Sequence, residues 1–195
     1  MSWYLFDYGM VISEAPTATD WAALEEAIGL PAEPEDSTYW RHRESYDAGE
    51  LNAEQYWTSV LGRPVSEGQL AQLHALDVRA WSHLNTETLD VLEAIDSTGA
   101  GLALLSNMPL ELAEELGASG VWPRFFSQLF FSGRLGLIKP DRQIFQYVLN
   151  ELGVSAEQVT FIDDRQENLD AAAALGFHTV LHTQGTDLAA ELKLA

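Results

Sequence analysis

Cysteine is absent from the 195 residues, which excludes disulfides, zinc-thiolate sites and thiol nucleophiles. Basic residues are scarce: ten Lys and Arg stand against thirty Asp and Glu, a formal charge of −20. Such a surface repels a phosphate backbone or an anionic membrane, so neither nucleic acid nor a membrane is an expected partner. No apolar stretch approaches the roughly 18 residues that span a bilayer. The first residues carry neither a basic n-region nor a small-residue cleavage site, and a cytoplasmic location is the expectation. Internal repeats, low-complexity tracts and Pro/Gly/Ser linkers are missing too, which argues against a second independent domain.

What remains is an ordinary globular composition, 47% hydrophobic with a mean hydropathy of −0.08. Short apolar runs alternate with segments of helical period, the pattern of an α/β protein with a mainly parallel sheet. Strands are predicted over Trp3 to Phe6, Gly101 to Leu105, Gln128 to Phe131, Val159 to Ile162 and Thr179 to Leu181. Asn85 or Thr86 is expected to cap a helix through Ile95. Pro109 should start one through Leu116, and Pro140 one through Leu152. Between the first two strands, 14–84 contains no convincing buried strand and reads as helices. Trp21 to Ile28 stops at Gly29, Asn52 caps Ala53 to Leu61 before Gly62, and Ser66 with Gln69 forms a capping box toward Leu76. The expected organisation is a core of 1–13 and 85–195 interrupted by a helical insert of 14–84.

Ligands of an open parallel sheet bind beyond the carboxyl ends of its strands, so the residues that follow each strand carry the functional signal. Asp7 closes the run Trp3-Tyr4-Leu5-Phe6 and opens into Tyr8-Gly9-Met10-Val11. The second strand delivers Ser106 and Asn107, Lys139 and Pro140 follow the third, and the fourth delivers Asp163 and Asp164. Three clustered carboxylates ordinarily need a cation, and Mg2+ suits hard oxygen ligands that share it with a phosphate. With Lys139 added, the balance favours a phosphoryl ligand. Asp7 is then a candidate nucleophile, with Ser106 and Asn107 as holders of phosphoryl oxygens.

These residues resemble the haloacid dehalogenase-like superfamily of hydrolases, mostly phosphatases. Leu5-Phe6-Asp7-Tyr8-Gly9-Met10-Val11 looks like its motif I, Leu104-Leu105-Ser106-Asn107 like motif II and Ile138-Lys139-Pro140-Asp141 with Ile144-Phe145 like motif III. Phe161-Ile162-Asp163-Asp164 with Asn168 looks like motif IV. The resemblance implies a Rossmann-like three-layer core with a small inserted helical cap, as in the first subfamily, and magnesium-dependent phosphomonoester hydrolysis through an aspartyl-phosphate. By the same resemblance Asp7 is the nucleophile, Ser106 binds phosphate and Lys139 neutralises charge. The metal ligands are then Asp7, Asp163, Asp164 and the backbone carbonyl of Gly9.

The departure is Gly9. Most phosphatases of the superfamily place there an aspartate that protonates the leaving oxygen, a service typically worth about 10² to 10⁴ in rate. A branch that includes glucose-1-phosphate phosphatases has Asp-x-Gly at motif I, and this chain looks most like that branch. A sugar 1-phosphate is therefore the first substrate expected. An easily departing leaving group, a cap residue or water would substitute for the absent acid.

Within the insert, Tyr39, Trp40, Arg41, Arg43, Tyr46 and Asp47 form a cluster whose aromatics suit a sugar and whose arginines suit an anion. Trp40 and Arg43 are the candidate substrate contacts. The same cluster also reads as the insert's own core, with its arginines paired to nearby acids. Trp57 and Trp81 read as packing residues, and the five histidines show no ligand spacing. Three competing functions are a receiver-type phospho-acceptor, a fold that binds a phosphorylated ligand without turnover, and a 2-haloacid dehalogenase. The order of the acid pair and lysine along the chain disfavours the first. Asp163-Asp164 disfavours the last. Oligomeric state is not encoded in any recognisable pattern.

Overall fold

A computed structural model describes residues 2–194. Five parallel strands form one sheet in the order β3-β2-β1-β4-β5: β1 Trp3–Phe6, β2 Gly101–Ser106, β3 Gln128–Phe131, β4 Val159–Asp163 and β5 His178–Leu181. The α/β expectation holds, and Asp7 follows the central strand. Parallel register pairs Phe6 with Leu104 on one side and with Ile162 on the other. The first residues beyond β1 therefore emerge between the ends of β2 and β4.

Alternation along these strands builds two cores. Phe6, Leu102, Leu104 and Ile162 face one side, while Leu5, Ala103, Leu105 and Phe161 face the other, all of them buried. Helices cover both faces. Between β1 and β2 lie α1 Ala18–Ile28, α2 Thr38–Arg41, α3 Arg43–Asp47, α4 Ala53–Leu61 and α5 Glu67–Ala80, followed by α6 Thr86–Thr98. The later helices are α7 Leu110–Ser119, α8 Ser132–Leu135, α9 Arg142–Leu152, α10 Gln166–Ala173 and α11 Leu188–Glu191.

The stretch α1 to α5 buries an apolar cluster of its own around Trp21, Leu24, Tyr39, Tyr56, Trp57 and Leu73. Its two connections to the sheet run side by side, since Ser13 bridges Leu84, Glu14 N–H donates to His83 O and Asn85 N–H donates to Ile12 O. Helix ends follow the caps expected of them. Asn52 and Gln55 exchange side-chain and backbone bonds, and Gly29 and Gly62 close their helices in the left-handed region.

Three helix expectations require correction. The first helix starts a turn earlier than Trp21, because Thr17 and Asp20 form a reciprocal box there. Ser66 accepts from Gln69 N–H, yet the helix it caps runs past Leu76 to Ala80. Pro140 does not open α9; it follows a cis peptide bond in the preceding loop, and Asp141 occupies the N-cap. A proline's fixed φ suits a first helical turn and a tight loop equally.

Candidate active site

Asp7 remains anchored to the sheet through its N–H, which donates to Ile162 O at 2.9 Å. Its Oδ1 accepts from Tyr8 N–H at 2.7 Å and faces Lys139 Nζ at 2.9 Å. Lys139 Nζ also donates to Asp163 Oδ2 at 2.7 Å, so one buried ammonium joins two strand-end carboxylates. Ser106 ends β2, buried. Asp7, Asp163 and Asp164 each offer an oxygen, all lying within 4.8 Å of one another, an arrangement that could hold a metal ion.

The charges of this group are set by burial and by one another. Burial and the neighbouring carboxylate of Asp163 outweigh Lys139 and push the Asp7 carboxyl up to about 7. Burial works against the charge of Lys139, but Asp7 and Asp163 overcome it and hold its pKa above the ordinary value. Asp164 is raised as well, by partial burial and by Asp163. The cluster carries more negative charge than Lys139 offsets.

Asp163 and Asp164 differ in what their oxygens can still do. Asp163 Oδ1 accepts from Arg165 N–H at 2.8 Å and Asn168 Nδ2 at 2.9 Å, and Oδ2 from Asn168 Nδ2 at 3.1 Å as well as from Lys139. Three donors thus make four contacts to this carboxylate, the Asn168 amide being shared between its two oxygens. Both acids, expected as metal ligands, belong to the carboxylate group that could hold an ion, and Asp163 in addition anchors Lys139 and Asn168. Asn168 Oδ1 is a buried acceptor without a hydrogen-bond partner, and the residue lines the cavity described below.

Asn107 has a task of its own beside the lysine. Its Nδ2 donates to Lys139 O, and its Oδ1 accepts from Lys139 N–H, each at 2.9 Å. Both ends of the amide are thus occupied in fixing the backbone of Lys139 to the end of β2. The side chain expected to grip phosphoryl oxygens also positions the lysine, and it lines the cavity described below.

Asp7, Ser106, Lys139 and Asp164 open into a cavity of about 850 Å³ that is also lined by Trp40 of α2 and by Arg43 and Asp47 of α3. Gly9 and Met10 form part of its wall. Gly9 has an ordinary backbone, and a Cβ placed there would meet only Trp81 Cζ3, at 3.8 Å. The glycine is therefore not demanded by sterics. Met10 takes φ of 60°, and its carbonyl accepts from His182 Nδ1 at 2.9 Å, which places the imidazole proton on that nitrogen. Among the histidines, His182 thus has a definite structural task, as does His83, held 2.7 Å from Asp20.

Arg43 reaches the cavity wall but is not a free anion receptor. Its Nε donates to Asp47 Oδ1 at 2.7 Å, and its Nη1 to Tyr39 Oη at 2.6 Å and to Asp77 at 3.2 Å. Pairing with nearby acids, the alternative open in the sequence, describes this arginine. Trp40 packs against Trp21, Tyr39 and Trp81 and still lines the cavity. Trp81, expected only to pack, also lines it, with Nε1 donating to Tyr39 Oη at 3.1 Å. Arg41 is exposed, bonds the carbonyl of Asp36 and does not line this cavity. Asp77 was missed. A carboxylate between Leu73 and Ala80 on the buried face of α5 was the available signal that a buried cation lay opposite.

The family model of the haloacid dehalogenase-like hydrolases matches residues 6–176. The GMP/IMP nucleotidase YrfG of Escherichia coli (strain K12) is 31% identical over 133 residues, 68% of this chain and 57% of that protein. Drimenol cyclase drtB of Aspergillus calidoustus is 28% identical over 142 residues, 70% of this chain and 26% of that protein. The chain thus spans between about a quarter and somewhat over half the length of these curated relatives. A HAD-family enzyme of Bacteroides thetaiotaomicron, solved with magnesium and inorganic phosphate, superposes with a TM-score of 0.76 at 20% identity, covering 98% of both chains. That likeness shows a shared fold.

Proposed function

This chain belongs to the haloacid dehalogenase-like hydrolases, and on that footing we propose that it is a magnesium-dependent phosphomonoester hydrolase acting through an aspartyl-phosphate. The observation that carries the reading is Lys139, buried between Asp7 and Asp163 at the ends of adjacent central strands. Asp7 attacks phosphorus with the oxygen turned to the cavity. Ser106 binds a phosphoryl oxygen, and Lys139 offsets the charge gathered on nucleophile and phosphate. Water then hydrolyses the acyl phosphate and frees Asp7.

The donor set suits Mg2+. It is all oxygen, it is over-charged for one lysine, and the orphaned Asn168 Oδ1 is an acceptor for a metal-bound water. Asp7, Asp163, Asp164 and the carbonyl of Gly9 would hold the ion, with Asp163 also orienting Lys139 and Asn168. Bound there, it would neutralise phosphoryl charge and orient the phosphate for in-line attack.

The substrate proposed is a small sugar phosphate, first a sugar 1-phosphate, whose anomeric oxygen departs more readily than an ordinary alkoxide. Trp40 and Trp81 give the cavity the aromatic walls on which a sugar ring stacks. Residues 14–84 are proposed as the cap that selects the substrate, its limits marked by the Ser13–Leu84 bridge. The test is phosphate release from sugar phosphates, nucleotides and acyl phosphates with Mg2+ and with EDTA, beside Asp7→Asn. Magnesium-dependent release that vanishes in the variant is expected. Equal inactivity of both proteins over the whole panel would leave a phosphate-binding protein without turnover. Chloride release from a 2-haloacid that persists in EDTA would instead mark a dehalogenase.

A further inference from the structure

Gly9 leaves the reaction without a carboxyl donor beside Asp7, and the hydroxyl of the neighbouring Tyr8 is engaged in donating to Trp81 O at 2.9 Å. A replacement must be an acid that lines the same cavity, is sheltered from bulk water and is held rigidly. Glu35, Glu44, Asp141 and Glu167 line the cavity but are exposed. Asp164 belongs to the carboxylate group around Lys139. Asp47, at the end of α3, meets all three conditions.

Its side chain is 14% exposed, and Arg43 Nε engages Oδ1, the one carboxylate oxygen with an assigned bond. Its backbone is fastened to the sheet domain. The fully buried Ser132 donates its hydroxyl to Asp47 O while accepting from Met108 N–H at 2.8 Å, two residues beyond Ser106. Two residues after Asp47, Gly49 sits at φ of 76°, where a Cβ would come within 2.6 Å of Gly133 O. Only glycine allows the insert to approach the core this closely. The carboxyl of Asp47 is thereby referenced to the end of β2 through a short chain of bonds, although it belongs to the insert.

We propose that Asp47 protonates the leaving-group oxygen in place of the acid that Gly9 lacks. This rests on the phosphatase reading above. As the Asp7 Oδ–P bond forms and the P–O bond to the substrate breaks, the proton passes from the Asp47 carboxyl to the departing oxygen, and the alcohol leaves neutral. Asp47, now a carboxylate, takes a proton from the water that attacks phosphorus, and inorganic phosphate and free Asp7 result. Burial pushes the Asp47 carboxyl up to about 6 against the pull of Arg43, and Asp77 and Arg165 are the other charges that act on it. That value suits an acid that must both give and recover a proton near neutrality.

The experiment compares kcat/KM, which stops at formation of the acyl phosphate, for β-glycerophosphate and 4-nitrophenyl phosphate with saturating Mg2+. Asp47→Asn is expected to lose about 10²-fold on the alkyl ester and far less on the aryl ester, whose anion needs no proton. Adding Gly9→Asp to that variant should restore most of the alkyl activity, since the new side chain has room. Gly9→Asp alone should raise alkyl turnover by less than about threefold, because an acid is already in place. Losses equal on both esters, no loss on either, or a gain of about 10²-fold from Gly9→Asp alone would overturn the assignment. The last comparison does not depend on whether Asp47→Asn folds. Wild-type protein inactive on both esters would remove the phosphatase reading and this assignment with it.

Discussion

Asp7→Asn is expected to do two opposite things: end turnover and strengthen the metal-free fold. Asp7 is almost fully buried, and its carboxyl is pushed up from 3.8 to about 7 by burial and Asp163, Lys139 notwithstanding. A carboxyl that holds its proton more firmly in the folded than in the unfolded chain makes stability fall as pH rises between these two values. At about 1.4 kcal/mol for each unit of pKa, the full cost of ionising Asp7 in the fold is about 4 to 5 kcal/mol. That figure already contains the attraction of Lys139, which acts against the shift. Asparagine keeps the size and one acceptor of the side chain and never ionises, so a net gain of about 2 to 4 kcal/mol above pH 7 is expected in the variant.

In a chain of this length each kcal/mol moves the melting temperature by about 2 to 4 °C, so the variant should melt roughly 4 to 16 °C higher in EDTA at pH 8. Near pH 4, close to the unfolded value of 3.8, most of that cost is absent and the two proteins should melt close together. Saturating Mg2+ should then raise the wild type by about 2.7 kcal/mol at a hundredfold excess over Kd, leave the variant nearly unchanged and narrow the gap. Thermal or urea unfolding at pH 4.5, 6 and 8, with and without the cation, measures all of this. A variant less stable than wild type at pH 8 in EDTA, or a gap that ignores pH, would refute the reasoning.

Two further outcomes follow from the same geometry. Gly49→Ala should cost about 2 to 4 kcal/mol in urea unfolding, from a left-handed backbone and a Cβ driven against Gly133 O, whereas Gly62→Ala, with nothing near its Cβ, should cost only the backbone share of about 1 to 2 kcal/mol. Because Asp7 must shed its proton to take up a cation, Mg2+ affinity measured by titration calorimetry should rise as pH climbs from 5 to about 7 and level off above, with proton release detected at pH 6 in buffers of different ionisation enthalpy.

Much of the sheet was legible because the relevant signals are local. Trp3 to Phe6 and Val159 to Ile162 are short apolar runs ending in acids, and that edge alone locates Asp7, Asp163 and Asp164. Caps such as Asn52 with Gln55 act within three residues and were equally readable. The tie between Asn107 and Lys139 was not legible, for the opposite reason. The amide of Asn107 suits a phosphate and a peptide equally, and nothing in the chain says that the backbone of Lys139, 32 residues away, lies against it. The pairing of Arg43 with Asp47 is visible as an i, i+4 spacing, but Asp77 and Tyr39, which complete the burial of that arginine, converge only through tertiary packing. The short α2 and α3 are below the length at which a helical period can be recognised.

The charge of the cluster explains why the two halves of the proposed chemistry come from different parts of the chain. Asp7, Asp163 and Asp164 against Lys139 leave a formal excess of two negative charges, which a divalent cation cancels and which a proton on Asp7 relieves in its absence. A fourth carboxyl at position 9 would restore an acid, but it would stand beside this excess and compete for the same cation. Placing the acid on α3 separates proton delivery from metal neutralisation. Arg43 offsets the charge of Asp47 locally, and Ser132 ties its backbone to the end of β2. The arrangement makes proton transfer depend on the insert being seated on the core, whereas metal binding depends only on the strand ends. Changes that loosen the Gly49–Gly133 contact should therefore impair alkyl-ester turnover while sparing magnesium affinity.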